Sequence, residues 1–254
     1  DQFLKLHLYH EFIGFKGLQL FQQLDAETRK AKFRDLAFQT NLAAGFYPRT
    51  YINYIQAPES DSLYNENQWR SYSHKTGIKG IFRQFTYRAH VKQRYWSAYN
   101  PLIETTLDRL ENYAGLWLRQ QIGKNIDFQA EGEYLLGSDY LLKAQLMSPW
   151  FWASYQRTSV SPSLANQWVY NTSYHWKNDF KNIEFDQLAG GITLKTKHFY
   201  LKPSVTIQRI GSWVYYDSLA TATQAKEAIA VFRTSVALGG DCGRVEWQAN
   251  VHAN

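Results

Sequence analysis

Four basic side chains recur at every second position in one stretch: Arg88, His90, Lys92 and Arg94. In an extended chain that spacing puts all four on one face, with about 7 Å between successive members. Lining a water-filled lumen, such a ladder lowers the barrier for anions and raises it for cations. An acidic counterpart, Asp127, Gln129, Glu131 and Glu133, also shares one face of its own stretch. If the acidic set faces the basic one, the charges neutralise each other and leave a transverse field with little selectivity. The sequence leaves both arrangements open. A lipid-facing ladder is untenable, because each cation costs roughly 2–4 kcal/mol at a bilayer midplane.

Other chemistries find less support. Glycosidase-type acid/base work needs two carboxyls across a cleft at a defined separation. Asp127, Glu131 and Glu133 lie on one strand with Lys124 and Lys143 nearby, the pattern of a hydrated wall. His7 and His10 are three apart, so in a strand they point to opposite faces and cannot share a metal. There is no Gly-x-Ser-x-Gly elbow and no phosphate-binding glycine loop. The single cysteine, Cys242, sits in a Gly-Gly-Asp-Cys-Gly turn and excludes an internal disulfide. The expectation is a protein without catalysis, metal or cofactor.

The elements that position these residues read as strands. Leu4, Leu6 and Leu8 alternate with Lys5, His7 and Tyr9; Phe85, Tyr87, Ala89 and Val91 oppose the basic ladder. The same period of two runs through Leu36–Leu42, Ile126–Glu133, Leu142–Leu146, Phe199–Gln208 and Val245–His252. Several stretches reach the roughly 9–11 residues a tilted membrane strand needs, more than the about 5–6 residues usual in globular sheets. Turn signals fall at Gly123-Lys124-Asn125, Leu136–Asp139, Lys177-Asn178-Asp179 and Gly239-Gly240-Asp241. Longer polar connections run near Ala57–Gln68, Asn100–Glu111, Ser159–Gln167 and Ser218–Glu227, without clean short–long alternation. Pro101–Asn112 and Ala220–Ala230 read as helical turns within loops.

Composition agrees with strands in a membrane. The chain holds 9 Trp, 18 Tyr and 15 Phe among 254 residues, a bias that suits a pleated, half-buried surface. Trp96, Trp150, Trp152, Trp176, Trp213 and Tyr215 fall toward strand ends, where amphipathic rings form interfacial girdles on barrels. Packing in a soluble core or lining a sugar-binding groove are the competing roles for these rings. No apolar run approaches the about 20 residues of a spanning helix. The net charge of +6 comes from scattered Lys and Arg without a block, which argues against nucleic-acid binding. No basic and apolar leader opens the chain, as expected after export, and its far end stops inside a strand pattern without a terminal aromatic.

The stretch from Leu142 to Asp217 resembles the putative porin family of Bacteroidetes outer membranes. The resemblance rests on Trp168-Val169-Tyr170-Asn171-Thr172-Ser173-Tyr174-His175-Trp176 and Lys177-Asn178-Asp179-Phe180-Lys181-Asn182-Ile183. Gly190-Gly191-Ile192-Thr193-Leu194 and Trp213-Val214-Tyr215-Tyr216-Asp217 complete it. It implies a large integral outer-membrane barrel with passive transport and no catalysis. The family's amino-terminal portion and a finished last strand are not evident.

The expectation is therefore an all-β, transmembrane, antiparallel up-and-down β-barrel, with about 12–16 strands at roughly 10 residues each plus turns. It forms a single barrel domain over residues 1–254, incomplete at one or both ends. Its function is diffusion of small hydrophilic solutes, with an anion preference. Its partners are outer-membrane lipid, those solutes, and other outer-membrane or periplasmic proteins. Two alternatives stand: a closed barrel serving as a structural subunit of a larger outer-membrane complex, and a soluble, aromatic-rich, glycan-binding β-sandwich.

Overall fold

Alternating segments joined by turn residues fold as hairpins, and here nearly every neighbour in sequence is a neighbour in space. The computed structural model describes residues 2–15, 17–45, 63–100, 105–170, 175–218, 221–243 and 245–253. Twelve strands succeed one another across one antiparallel sheet: β1 (Gln2–Phe15), β2 (Leu18–Asp35), β3 (Leu63–Phe82), β4 (Phe85–Asn100), β5 (Thr105–Ile122), β6 (Ile126–Leu135), β7 (Tyr140–Met147), β8 (Phe151–Val160), β11 (Ile183–Ile192), β13 (Phe199–Gly211), β16 (Ile229–Cys242) and β17 (Val245–Ala253). A thirteenth, β12 (Leu194–Lys195), pairs with β13. Two small hairpins lie in the connections, β9 (Trp168–Tyr170) with β10 (His175–Lys177), and β14 (Val214–Tyr216) with β15 (Ala222–Gln224). Among the described residues β1 and β17 do not pair with each other, so the sheet is open.

Register fixes the faces. One row of partners runs Glu11, Phe21, Gly77, His90, Gly115, Glu133, Leu141, Thr158, Phe185, Ile210 and Ile229. Alternate residues along each strand share this face, which is mostly polar. The other face carries the apolar sets expected from the alternation and stays uncovered: Leu4 is 68% exposed, Val91 58%, Phe232 57% and Val251 61%. Buried apolar residues are few and small in total, Phe21, Phe38, Ala98, Leu135, Ala189 and Ala222. A sandwich buries one face of each sheet against a second sheet. No second layer covers this one among the described residues, so the sandwich alternative does not fit. An apolar face this extensive calls for lipid or a partner.

The connections sort by end. Tight turns at Gly17, Arg83-Gln84, Gly123–Asn125, Ser148–Trp150 and Gly243 close one rim, with 193–198. Connections 36–62, 101–104, 136–139, 161–182 and 212–228 leave from the other. This corrects the irregular order read from sequence. Gly17 adopts φ +89°, and a Cβ there would lie 2.9 Å from the Ile81 carbonyl oxygen, so glycine is required.

Three local readings change. Residues 36–42 alternate like a strand, yet β2 ends at Asp35 and α1 (Phe38–Ala43) follows. The Asp35 carboxylate accepts from the Ala37 amide at 3.0 Å and from Asn41 Nδ2 at 2.8 Å, which turns the chain, and Phe38 is fully buried. Thr105–Asn112 is the start of β5 rather than a helical turn, held by its register with β4. The Ala220–Ala230 region holds β15 and the start of β16, while the other helical segment among the described residues is α2 (Leu164–Gln167).

Candidate functional site

Strand β4 presents Arg88, His90, Lys92 and Arg94 on the polar face, as alternation requires. On β3 their partners are Lys79, Gly77, Lys75 and Ser73; on β5 they are Trp117, Gly115, Tyr113 and Glu111. The β6 residues Asp127, Gln129, Glu131 and Glu133 share the same face across β5. Both expected sets thus lie on one wall, two strands apart.

The contact between them depends on glycine. His90 Nε2 lies 3.1 Å from Glu133 Oε2, and Lys92 Nζ donates to Glu133 Oε1 at 2.7 Å. To reach β6, the His90 ring must pass over β5. It does so above Gly115, where a built Cβ would sit 2.1 Å from His90 Cε1. Gly77 makes room on the other side, with a Cβ there 2.8 Å from both the His90 Cβ and Phe21 Cε1. His90 Nδ1 is buried and has no hydrogen-bond partner.

Arg94 is neutralised elsewhere, by Glu111 on β5. Arg94 Nε donates to Glu111 Oε2 at 2.7 Å, Trp96 Nε1 donates to Oε1 at 2.9 Å, and the Tyr113 hydroxyl donates at 2.5 Å. Lys92 Nζ also stands 3.8 Å above the Tyr113 ring centre, a cation–π contact. Asp127 accepts from Arg119 Nε at 2.8 Å and from Gln129 at 3.4 Å. Glu131 is exposed opposite Lys143 of β7. Near β1, Lys79 pairs with Glu11, and His7 Nδ1 lies 2.6 Å from Asp25. Two cations of the stripe are left: among the described residues neither Arg88 nor Lys75 forms an ion pair. Arg88 instead lies 5.8 Å from the Phe21 ring centre.

Above the stripe, at the rim of long connections, a cavity of about 390 Å³ opens between β2–β5 and the segment after β8. Arg29, Trp69, Arg94, Trp96, Arg109 and Glu111 line one side, and Asp139, Ser161, Pro162, Leu164 and Gln167 the other. Asp139 holds that far side together. Burial pushes its carboxyl upward, but hydrogen bonds from Ser138, the Ser161 amide and hydroxyl, and Asn182 outweigh this and keep it below the usual aspartate value.

The aromatic residues expected in a girdle scatter. Trp96 and Trp152 belong to the polar face, Trp152 by its register with Met147, a residue of the Asp127 row. Trp150 is exposed in the turn before β8. The Trp213 and Tyr215 rings meet at a tilt, with centres 4.8 Å apart, in the connection after β13. Trp176 lies in β10, and its side chain falls outside the described residues. Sequence reasoning missed Glu111, Tyr113, Lys75, Gly77 and Gly115. The signal for Glu111 and Tyr113 was present, since Glu111, Tyr113, Gly115, Trp117 and Arg119 also keep a spacing of two. Among the described residues no group of three or more His, Cys, Asp or Glu side chains is placed to hold a metal.

Comparison with known proteins places this geometry. The family model described as "Putative porin" matches residues 3–252. No curated protein matches the sequence. Among solved structures, the chain is similar to the copper transporter OprC, with TM-score 0.62 and 8% identity over 97% of this chain and 47% of that one. It is similar to the siderophore receptor PirA from Acinetobacter baumannii, with TM-score 0.59 and 10% identity over 98% and 43% of the two chains. The apoprotein form of the FrpB iron transporter from Neisseria meningitidis (F5-1 variant) gives TM-score 0.56 and 10% identity over 98% and 47%. These likenesses concern the fold alone. The chain spans less than half the length of each.

Proposed function

The chain belongs to the Putative porin family, and from that premise we propose that it walls an outer-membrane channel through which small hydrophilic solutes diffuse. The observation that carries this reading is the single antiparallel sheet with one uncovered apolar face and one hydrated, hydrogen-bonded face. Lipid outside and water inside satisfy both faces, whereas water on both sides leaves the apolar face unburied. The wall does no covalent chemistry. A solute keeps most of its water and moves down its gradient, and the side chains on the polar face set the electrostatic barrier it meets.

That barrier is lower for anions at the stripe. Glu133 and Glu111 offset Lys92 and Arg94, which leaves Arg88 and Lys75 as the stripe's cations without an ion pair among the described residues, while the exposed Glu131 stands opposite Lys143. The preference is mild, because most neighbours are paired. Two measurements test the reading. The full protein should partition with the membrane fraction and migrate in gels as a heat-modifiable band. In planar bilayers under a KCl gradient it should pass current with a reversal potential displaced toward that of chloride. Replacing Arg88 and Lys75 together with Gln should remove the displacement without abolishing current. A membrane-embedded protein that passes no current would instead favour the closed structural subunit.

A further inference from the structure

The cavity at the long-connection rim has an imbalance of hydrogen-bonding groups that selects its occupant. Each of its carboxylates is already engaged by a neighbour. Glu111 accepts from Arg94, Trp96 and Tyr113. Glu27 accepts from Arg29 Nε at 2.5 Å, and Asp139 is taken by Ser138, Ser161 and Asn182. Its donors are not spent. Arg109 Nε stands 3.9 Å from Glu111, beyond hydrogen-bonding distance, and the side chain is 45% exposed. Arg94 commits Nε and one terminal nitrogen to Glu111, whereas a guanidinium carries five N–H groups.

Tryptophan rings supply part of the remaining surface. The Trp96 indole N–H is committed to Glu111, so what it turns to the cavity is ring carbon. Trp96 and Arg109 are direct cross-strand partners, which sets a ring beside a guanidinium that meets Glu111 only at 3.9 Å. Trp69 lines the same cavity. An occupant with its own acceptors and a ring face matches these arginines and tryptophans. We propose that this rim cavity binds an acidic sugar, its carboxylate on Arg109 and Arg94 and its pyranose ring against the tryptophans. The volume of about 390 Å³ suits one or two such rings, within the range of roughly 300–1,000 Å³ that small-ligand sites occupy. Binding here is an equilibrium property of the rim and does not depend on conduction through the wall, so failure of either leaves the other testable.

The experiment titrates the full chain, folded in detergent micelles, with sodium glucuronate while tryptophan fluorescence is read. Glucose supplies the ring without the charge, and acetate the charge without the ring. Glucuronate should give a saturable change at concentrations about tenfold below either comparator, and added NaCl should weaken it in the parent protein. Arg109→Ala should lose about tenfold in affinity, and Arg109→Lys should fall between, because lysine keeps the charge without the fork. Far-UV circular dichroism and heat-modifiable migration check that both variants fold. Glucose binding as well as glucuronate, no saturable change, salt-insensitive binding, or an Arg109→Ala protein that binds like the parent would each overturn the proposal.

Discussion

The two halves of the polar face are built from different materials. From β1 to β6 it is a wall of charges, with Lys79, Lys75, Arg88, His90, Lys92 and Arg94 set against Glu11, Asp25, Glu111 and Glu133. From β8 to β17 it is mostly neutral: Ser154, Gln156 and Thr158, then Gln187, Ser204, Thr206, Gln208 and Ser235, with Gln248 and Asn250 at the edge. Lys202 and Arg233 are its cations. Gln208 Nε2 donates to Gln187 Oε1 at 2.8 Å, and the Ser204 and Ser235 hydroxyls meet at 2.6 Å. Both pairs link adjacent strands. In the charged half, by contrast, His90 and Lys92 reach Glu133 over an intervening strand. Charge imposes a search for partners, and long side chains extend that search two strands away. Amides and hydroxyls are satisfied by the next strand or by water. On this reading the charged half sets selectivity, and the neutral half supplies a wetted surface.

The sharpest way to break the comparison is at Gly115. Gly115→Leu drives a side chain into the space of the His90 ring and should separate His90 from Glu133, with a destabilisation of about 1–3 kcal/mol. The check is the temperature at which the folded gel band converts to the unfolded one. Next in size is Glu133→Gln, which leaves Lys92 and His90 without their carboxylate. We expect a loss of about 2 kcal/mol and a reversal potential moved further toward chloride in bilayer recordings. Smaller again is Asp139→Asn at the rim. The folded protein holds the Asp139 carboxyl below its usual value, so its contribution is complete above the usual aspartate range and is lost as pH falls through the folded value. The stability gap between parent and variant, measured by thermal conversion across pH, should therefore be full near neutrality and close in acid. Smallest is Gln208→Ala in the neutral half, which should cost about 1 kcal/mol or less and leave the reversal potential where it was. A selectivity change from Gln208→Ala, or none from Glu133→Gln, would show that the division between the halves is misdrawn.

Much of the wall was legible in sequence because a strand's faces are set by parity, and parity is local. Arg88 through Arg94 and Asp127 through Glu133 were assigned to polar faces without knowing any partner, and register places them there. What escaped depends on distance along the chain. Gly115 looks like any glycine until register sets it under His90, 25 positions earlier in the chain. Glu111 was read into a connection because the polar run Asp108–Asn112 after Pro101 mimics a loop, although its pairing with β4 holds it extended. Residues 36–42 went the other way. Their alternation imitates a strand, and the hydrogen bonds of Asp35 turn them into α1. Trp96 was set at a lipid interface by its nearness to a strand end, yet even-numbered positions of β4 face the polar side, where Glu111 takes its indole. Likewise, the resemblance was carried by the segment from Leu142 to Asp217, while the family match extends over residues 3–252.

The strut from His90 to Glu133 also bears on shape. Strands two apart in a sheet are separated by roughly 9.6 Å, and a side-chain contact spanning that gap shortens most easily on the inside of a bend. A 3.1 Å contact on the polar side therefore acts as a tension member, favouring curvature toward the charges and away from the greasy side. The same residues that set the charge of the wall help decide which way the sheet rolls.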